Sequence, residues 1–212
     1  MKAKKSLGQN FLIDNNVINK IIDEVSACED DLIIEIGPGR GALTSKLKKK
    51  GSNVIAYELD TDLSNILSKL EDDKLHVIYK DFLNSNINDD IKDIKYNNLY
   101  LVGNLPYYIT TPIIMKLLEE SVPADSITIM MQKEVADRIK AGPGGKDYGA
   151  LTVAVGFYCT ITHVADAPKE VFVPRPKVDS TVIRLDLRKE CPVDLIDQKI
   201  FFETVKGGFG QR

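Results

Sequence analysis

The chain has 212 residues, of which 43% are hydrophobic and 28% are charged, and its net charge is −3. This suits one soluble α/β domain with its own core. No apolar run could cross a membrane, and no apolar segment of the secretory kind follows the N-terminal lysines, so we expect a cytoplasmic protein. Three dispersed cysteines and two distant histidines argue against disulfides, a metal site and histidine catalysis. The acidic total argues against a nucleic-acid partner, although lysines cluster locally.

Short apolar runs alternate with amphipathic segments along the chain. Strands are predicted at 32–36, 53–58, 75–79, 98–103, 125–131, 155–165 and 180–187, and helices at 14–26, 41–50, 61–71, 111–120, 132–140 and 197–206. This alternation predicts a largely parallel sheet with helices on both faces. A proline-rich stretch, 167–177, joins the last two strands, so we expect an antiparallel edge strand there. Residues 84–96 and 141–146 are predicted to be loops.

The first predicted strand runs into a glycine-rich loop, Gly37-Pro38-Gly39-Arg40-Gly41, and a helix. Glycines at such a junction let a cofactor approach the backbone near the helix N-terminus. Glu58 ends the second strand, where an acid can bind both ribose hydroxyls of an adenosine-containing cofactor. This pattern predicts a nucleoside cofactor but does not separate S-adenosylmethionine from NAD, and Glu58 alone could be a solvated strand-end acid.

The motif Asn104-Leu105-Pro106-Tyr107 follows the fourth predicted strand. It combines an amide, a backbone stiffened by proline and an aromatic ring. An amide oxygen and a nearby carbonyl can accept both hydrogens of an exocyclic amine, while the ring stacks on the base. The motif therefore predicts recognition of an amino-bearing base, although the same four residues could form an ordinary turn.

Several separated motifs occur in a fixed order: 6–12, 37–41, Glu58, Asp81-Phe82, 104–107, 131–138, 146–149 and 172–180. Together they closely resemble the rRNA adenine N6-dimethyltransferase family over essentially the whole chain. Segments 131–136 and 172–180 look more like the small-subunit enzymes than the macrolide-resistance enzymes that modify large-subunit rRNA.

The resemblance implies a Rossmann-like class I methyltransferase that uses S-adenosylmethionine to dimethylate N6 of adenines in small-subunit (16S) rRNA during ribosome biogenesis. It implies an immature 30S-type subunit as partner, no metal and a monomer. The expected catalytic domain covers 1–200, with an N-terminal lid segment over about 1–25. Residues 201–212 are expected to begin a linker or helix toward a C-terminal helical domain that this chain lacks.

The resemblance also assigns cofactor contacts. Gly37 and Gly39 would let the cofactor lie over the first strand, and Glu58 would bind its ribose. Asp81 would accept the adenine amino group, and Phe82 would flank that ring. The remaining expected contacts are Asn10 and Leu12 of the lid, together with Asn104. Asp81 could instead be a helix or turn cap, and Leu12 could be plain core.

For catalysis, the Asn104 side chain and the carbonyl of Leu105 or Pro106 are expected to accept the hydrogens of adenine N6. This favours a pyramidal nitrogen and stabilises its developing positive charge. Tyr107 and Phe172 are expected to sandwich an unpaired or flipped adenine, unless Phe172 is buried beside the prolines. Two further residues, Arg175 and Lys177, are expected phosphate contacts or a solvated rim.

Three other functions stay open from the sequence. The first is a large-subunit adenine methyltransferase of the macrolide-resistance type. The second is an NAD-dependent dehydrogenase, for which no proton-transfer residue is evident. The third is a non-catalytic RNA-binding assembly factor that retains the cofactor fold.

Overall fold

The computed structural model describes residues 3–210. Lys2 of the N-terminal lysine cluster and the last two residues of the expected linker lie outside this range. The helices are α1 Asn15–Asp23, α2 Thr44–Leu47, α3 Ser64–Leu67, α4 Ile87–Ile91, α5 Tyr107–Glu119, α6 Lys133–Lys140, α7 Ala150–Tyr158 and α8 Gln198–Phe209. The strands are β1 Phe11–Leu12, β2 Leu32–Ile36, β3 Asn53–Glu58, β4 Leu75–Tyr79, β5 Leu99–Asn104, β6 Ser126–Gln132, β7 Cys159–Ala167, β8 Phe172–Val173 and β9 Ser180–Leu187.

Seven strands form the main sheet in the order β4-β3-β2-β5-β6-β9-β7. The first five are parallel, and every residue of β2, at the centre, is buried. The chain leaves β2 toward β3 on one side and returns to β5 on the other. Ligands of open α/β sheets bind at such a switch point, outside the carboxyl ends of the strands. A ligand site is therefore expected at the carboxyl ends of β2 and β5.

The predicted antiparallel edge is confirmed, and it contains two strands. β9 pairs antiparallel with β6, and β7 pairs antiparallel with β9 as the outermost strand. The strand predicted at 155–165 begins only at Cys159, because 150–158 form helix α7. That segment is almost entirely apolar, so its periodicity does not separate a buried helix from a buried strand.

Several helices also differ from the prediction, and those predicted at 41–50 and 61–71 contain only the four-residue helices α2 and α3 beside 3₁₀ turns. Helix α5 begins at Tyr107 rather than at 111 and contains Pro112. Pro112 has no N–H group to donate to the carbonyl of Tyr108, four residues earlier. Tyr108 is exposed. Within the predicted loop 84–96, the short helix α4 forms with Asn86 as its cap.

A second, two-stranded sheet was not predicted. β1 pairs antiparallel with β8, so that Phe11 lies opposite Val173 and Leu12 opposite Phe172. This pairing joins the N-terminal segment to the proline-rich stretch. Two apolar clusters form the core, and alternate residues of β2 belong to one cluster or the other, so the clusters lie on the two faces of the main sheet.

Among residues 3–210, no helix is long and apolar enough to span a membrane. The same range contains no group of three or more His, Cys, Asp or Glu side chains arranged to hold a metal ion.

Candidate active site

A cavity of about 300 Å³ opens at the carboxyl ends of β2, β3 and β5. It brings together residues that lie far apart in sequence. The predicted site residues that line it are Asn10, Leu12, Gly37, Gly39, Glu58, Asp81, Phe82, Asn104, Leu105, Pro106, Tyr107 and Phe172. These residues therefore line one cavity, while their roles in catalysis and cofactor binding stay predictions.

The glycine-rich loop forms one wall of the cavity. Gly37 and Gly39 have φ values of 71° and 57°, in the left-handed region that side chains rarely adopt. A Cβ atom on Gly39 would lie 3.2 Å from the ring of Phe11. The loop therefore needs glycine both for its conformation and for close contact with the N-terminal segment.

Glu58 fixes this loop from the neighbouring strand. Its Oε2 accepts the N–H of Gly39 at 3.0 Å, and its Oε1 accepts the N–H of Asp60 at 2.8 Å. Burial raises the pKa of Glu58, against the opposing effect of these two hydrogen bonds. The side chain is only 5% exposed, so it is not a solvated strand-end acid.

Glu35, in β2, is a site residue that the sequence predictions missed. It lines the cavity and is fully buried, and neither carboxyl oxygen has a hydrogen-bond partner among the described residues. Burial raises its pKa to about 8, the nearby Thr44 acts to lower it, and the negative charge of Glu58 adds to the rise. A lone acid in an otherwise apolar strand, two residues before the glycine loop, was the available signal. An orphaned buried carboxyl suits a ligand that carries a cation or an N–H group.

Replacing Glu35 with glutamine should change how stability depends on pH. The native carboxyl keeps its proton up to about pH 8, whereas the unfolded one releases it near 4.5. The contribution of Glu35 to the stability of the parent protein therefore falls as pH rises from about 5 to 8. Relative to the parent, Glu35→Gln should gain up to about 1.4 kcal/mol per pH unit over that interval. Urea unfolding between pH 5 and 9 measures the difference, with the exposed-site variant Glu190→Gln as control. Parallel stability curves for Glu35→Gln and the parent would contradict the prediction.

Asp81 is engaged in capping the turn that follows β4. Oδ1 accepts the N–H of Leu83 at 3.0 Å, and Oδ2 accepts Nδ2 of Asn84 at 2.8 Å. The cap alternative is therefore confirmed, and because Asp81 also lines the cavity its adenine contact stays a prediction. The neighbouring Phe82 is 5% exposed and packs edge-on against Tyr57, with ring centroids 5.2 Å apart.

Asn104 ends β5 and points its amide at the N-terminal segment. Nδ2 donates to the carbonyl of Asn10 at 3.3 Å. The carbonyl of Pro106 caps α5, where it accepts the N–H of Ile109 at 3.1 Å and Oγ1 of Thr110 at 3.2 Å. No hydrogen bond within 3–210 reaches the carbonyl of Leu105. Of the two carbonyls that the sequence left open, only the one on Leu105 is therefore uncommitted among the described residues, and Leu105 lines the cavity.

The two aromatic residues expected around the base differ in exposure. The hydroxyl of Tyr107 is 2.8 Å from Oγ of Ser180, and burial raises the pKa of Tyr107. Phe172 is only 3% exposed and lies opposite Leu12 in the small sheet. Phe172 is therefore buried, which was the expected alternative to base stacking. Leu12 is likewise part of the core, at 4% exposed. Stacking of Phe172 on a base stays a prediction that requires more of its ring to become accessible.

The basic residues near the prolines lie on the surface. Arg175 is exposed and forms an ion pair with Glu170, and Lys177 is exposed as well. The positions of Arg175 and Lys177 suit either a phosphate contact or a solvated rim. In the cavity wall, the guanidinium of Arg40 lies 4.4 Å from the ring centre of Phe11.

The fold is that of class I methyltransferases. A dimethyladenosine transferase from Plasmodium falciparum superposes with a TM-score of 0.82 at 27% identity, over 95% of this chain and 71% of that one. The 23S rRNA methyltransferase ErmE gives 0.73 at 28% identity, over 93% and 78% of the two chains.

Residues 1–212 match the family model of ribosomal RNA adenine dimethylase. Ribosomal RNA small subunit methyltransferase A of Clostridioides difficile is 51% identical, over 100% of this chain and 74% of that protein. The Bacillus licheniformis protein of the same name is 49% identical, over 99% and 73%. The chain belongs to the ribosomal RNA adenine dimethylase family, which removes the dehydrogenase alternative.

Proposed function

We propose that this enzyme transfers methyl groups from S-adenosylmethionine to N6 of adenines in small-subunit rRNA, twice per target, during ribosome biogenesis. The observation that carries the proposal is the pair of acceptors at the end of β5. The carbonyl of Leu105 accepts no hydrogen bond within the described chain, and the Asn104 amide uses its nitrogen on Asn10. Asn104 and Leu105 both line the cavity, and their two free acceptors would take the two hydrogens of one amine.

The residues around the cavity fit the proposed cofactor. Glu35 would offer its unpartnered carboxyl to the ammonium of its methionine part, and that cation would favour the ionised form of the carboxyl. Glu58 would accept the ribose hydroxyls, and Asp81 with Phe82 would surround the adenine. Gly39, lacking a side chain, lets the loop backbone approach closely. When bound, S-adenosylmethionine supplies an electrophilic methyl group on a positively charged sulfur.

The protein residues would act by orientation and by electrostatics. Asn104 Oδ1 and the Leu105 carbonyl accept the hydrogens of the target amine, which localises the nitrogen lone pair toward the methyl group. They also stabilise the positive charge that develops on nitrogen as the bond forms. Holding both reactants in line converts a bimolecular step into an effectively intramolecular one. Water can accept the proton that the product nitrogen releases, so no strong base in the protein is required.

Tyr107 supports the target base in this scheme. Its hydroxyl is held by Ser180 at 2.8 Å, which fixes the ring at the start of α5 beside the acceptor pair. A base that stacks on this ring must be unpaired or flipped out of a helix. Phe172 on the facing wall would complete the sandwich once its ring is uncovered.

The site of methylation separates this proposal from its alternatives. The chain, methyl-labelled S-adenosylmethionine and immature small subunits are incubated together, and methylated adenines are mapped. We expect N6-dimethyladenosine in the small-subunit rRNA. Label in large-subunit particles instead would favour the macrolide-resistance type, to which the similarity with ErmE points. Binding of small subunits without any incorporation would favour a non-catalytic assembly factor.

A further inference from the structure

The N-terminal segment crosses the mouth of the cavity. Residues 4–12, called the strap below, comprise a 3₁₀ turn at Lys5–Leu7 followed by β1. Gln9, Asn10 and Phe11 of the strap line the cavity. Its ladder with β8 is only two residues long on each side, and so short a pairing is weak without further contacts. Beyond this ladder, the strap is held by the 3.3 Å bond from Asn104 to the carbonyl of Asn10 and by a further anchor nearer its start.

Asp60, just beyond β3, provides that anchor. Its side chain is 1% exposed, and its oxygens are used by the strap. Oδ1 accepts Nζ of Lys4 at 2.5 Å, and Oδ2 accepts Nε2 of Gln9 at 2.8 Å. Burial acts to raise the pKa of the Asp60 carboxyl, yet the bonds from Lys4 and Gln9 hold that pKa below its ordinary value. A buried carboxylate bonded in this way contributes more than a surface ion pair.

Asp60 is also connected to the cofactor side of the cavity. Its backbone N–H donates to Oε1 of Glu58 at 2.8 Å, and the other oxygen of Glu58 holds Gly39 at 3.0 Å. One short chain of hydrogen bonds thus runs from the strap, through Asp60 and Glu58, to the glycine loop. The strap and Glu58, the proposed ribose acceptor, are consequently held by the same chain of hydrogen bonds.

We propose that Asp60 is a positioning residue that latches the strap over the bound cofactor through Lys4 and Gln9. This rests on the proposed function, because the cavity is assigned to S-adenosylmethionine there. With the latch intact, the cofactor leaves slowly and its methyl group is shielded from water. Without the carboxylate, the strap opens more often and the cofactor escapes.

The direct test is Asp60→Asn, which keeps the size of the side chain but removes its charge. The new amide nitrogen is a donor, and it would face the donor group of either Lys4 or Gln9, so one of these two hydrogen bonds would be lost. Dissociation of S-adenosylhomocysteine, measured by stopped flow, should accelerate roughly 10- to 100-fold. The KM for S-adenosylmethionine should rise by a similar factor, while kcat at saturation should change less than about threefold.

Asp62→Asn is the matched control. Asp62 also contacts Lys4, at 2.5 Å, but its side chain is 60% exposed, so solvent screens the pair. This variant should release S-adenosylhomocysteine within about threefold of the parent rate. Equal acceleration in both variants would overturn the proposal, because any loss of acidic charge near Lys4 would then suffice. An unchanged rate in Asp60→Asn would overturn it as well.

Lys4→Met completes a double-mutant cycle with Asp60→Asn. If Asp60 acts through Lys4, the double variant should dissociate little faster than Asp60→Asn alone, whereas multiplying effects would show independent roles and overturn the latch. Cleavage by trypsin after Lys5, without added ligand, reports strap opening directly and should be faster in Asp60→Asn. Absence of S-adenosylmethionine binding to the parent would reject the proposed function, while the trypsin comparison would still decide whether the latch exists.

Discussion

Asn104→Ala should lower turnover by about 10²–10³, the cost of losing one oriented polar contact that acts in the transition state. The reason is that Asn104 Oδ1 is one of two acceptors for the target amine, and the Leu105 carbonyl cannot hold both hydrogens. Cofactor affinity should fall by about tenfold at most, since only the 3.3 Å bond from Nδ2 to Asn10 is lost on that side.

Single-turnover methylation of small-subunit rRNA, together with calorimetry on S-adenosylmethionine, separates these two effects. Asn97→Ala is the control, because Asn97 is exposed and its side chain makes no hydrogen bond within residues 3–210. Near-normal turnover in Asn104→Ala would exclude the amide from the reaction. An equal loss of turnover and of cofactor affinity would instead make Asn104 a cofactor ligand only.

Glu58→Ala should weaken S-adenosylmethionine and S-adenosylhomocysteine to a similar extent, by roughly 10- to 100-fold. The two ligands share the ribose that Glu58 is proposed to bind, and they differ only in the methyl group. The substitution also releases the N–H groups of Gly39 and Asp60, which the carboxylate holds at 3.0 Å and 2.8 Å. Part of the loss should therefore come from a less ordered glycine loop.

Calorimetry with both ligands provides the measurement, and Asp73→Ala, at an exposed position, provides the control. Glu58→Gln should not restore affinity, because each oxygen of Glu58 faces a backbone donor and an amide nitrogen would oppose one of them. A loss confined to S-adenosylmethionine would place Glu58 near the methyl group rather than the ribose. Binding of NAD in preference to either ligand would reject the cofactor assignment.

The parts that the sequence could predict are those whose signal is local. The buried strands of the sheet are short, continuous apolar runs, and β2 and β3 have the predicted bounds. The predictions that were wrong also depended on local sequence. The run 150–158 is apolar on all sides, so it gave no period to distinguish α7 from the strand that follows it. Proline in the second turn of α5 moved the predicted start of that helix too far along the chain.

By itself, the sequence determined the parallel α/β fold, the glycine loop and the amide motif, because strand propensity, left-handed glycines and proline turns are properties of neighbouring residues. Only the tertiary structure decided which partner each polar group meets. It left Glu35 without a hydrogen-bond partner, and it joined Lys4 to Asp60 across 56 residues and Asn10 to Asn104 across 94. Such contacts depend on how β2, β3 and β5 align at one edge of the sheet. A local pattern of side chains does not encode which residues, distant in sequence, meet there.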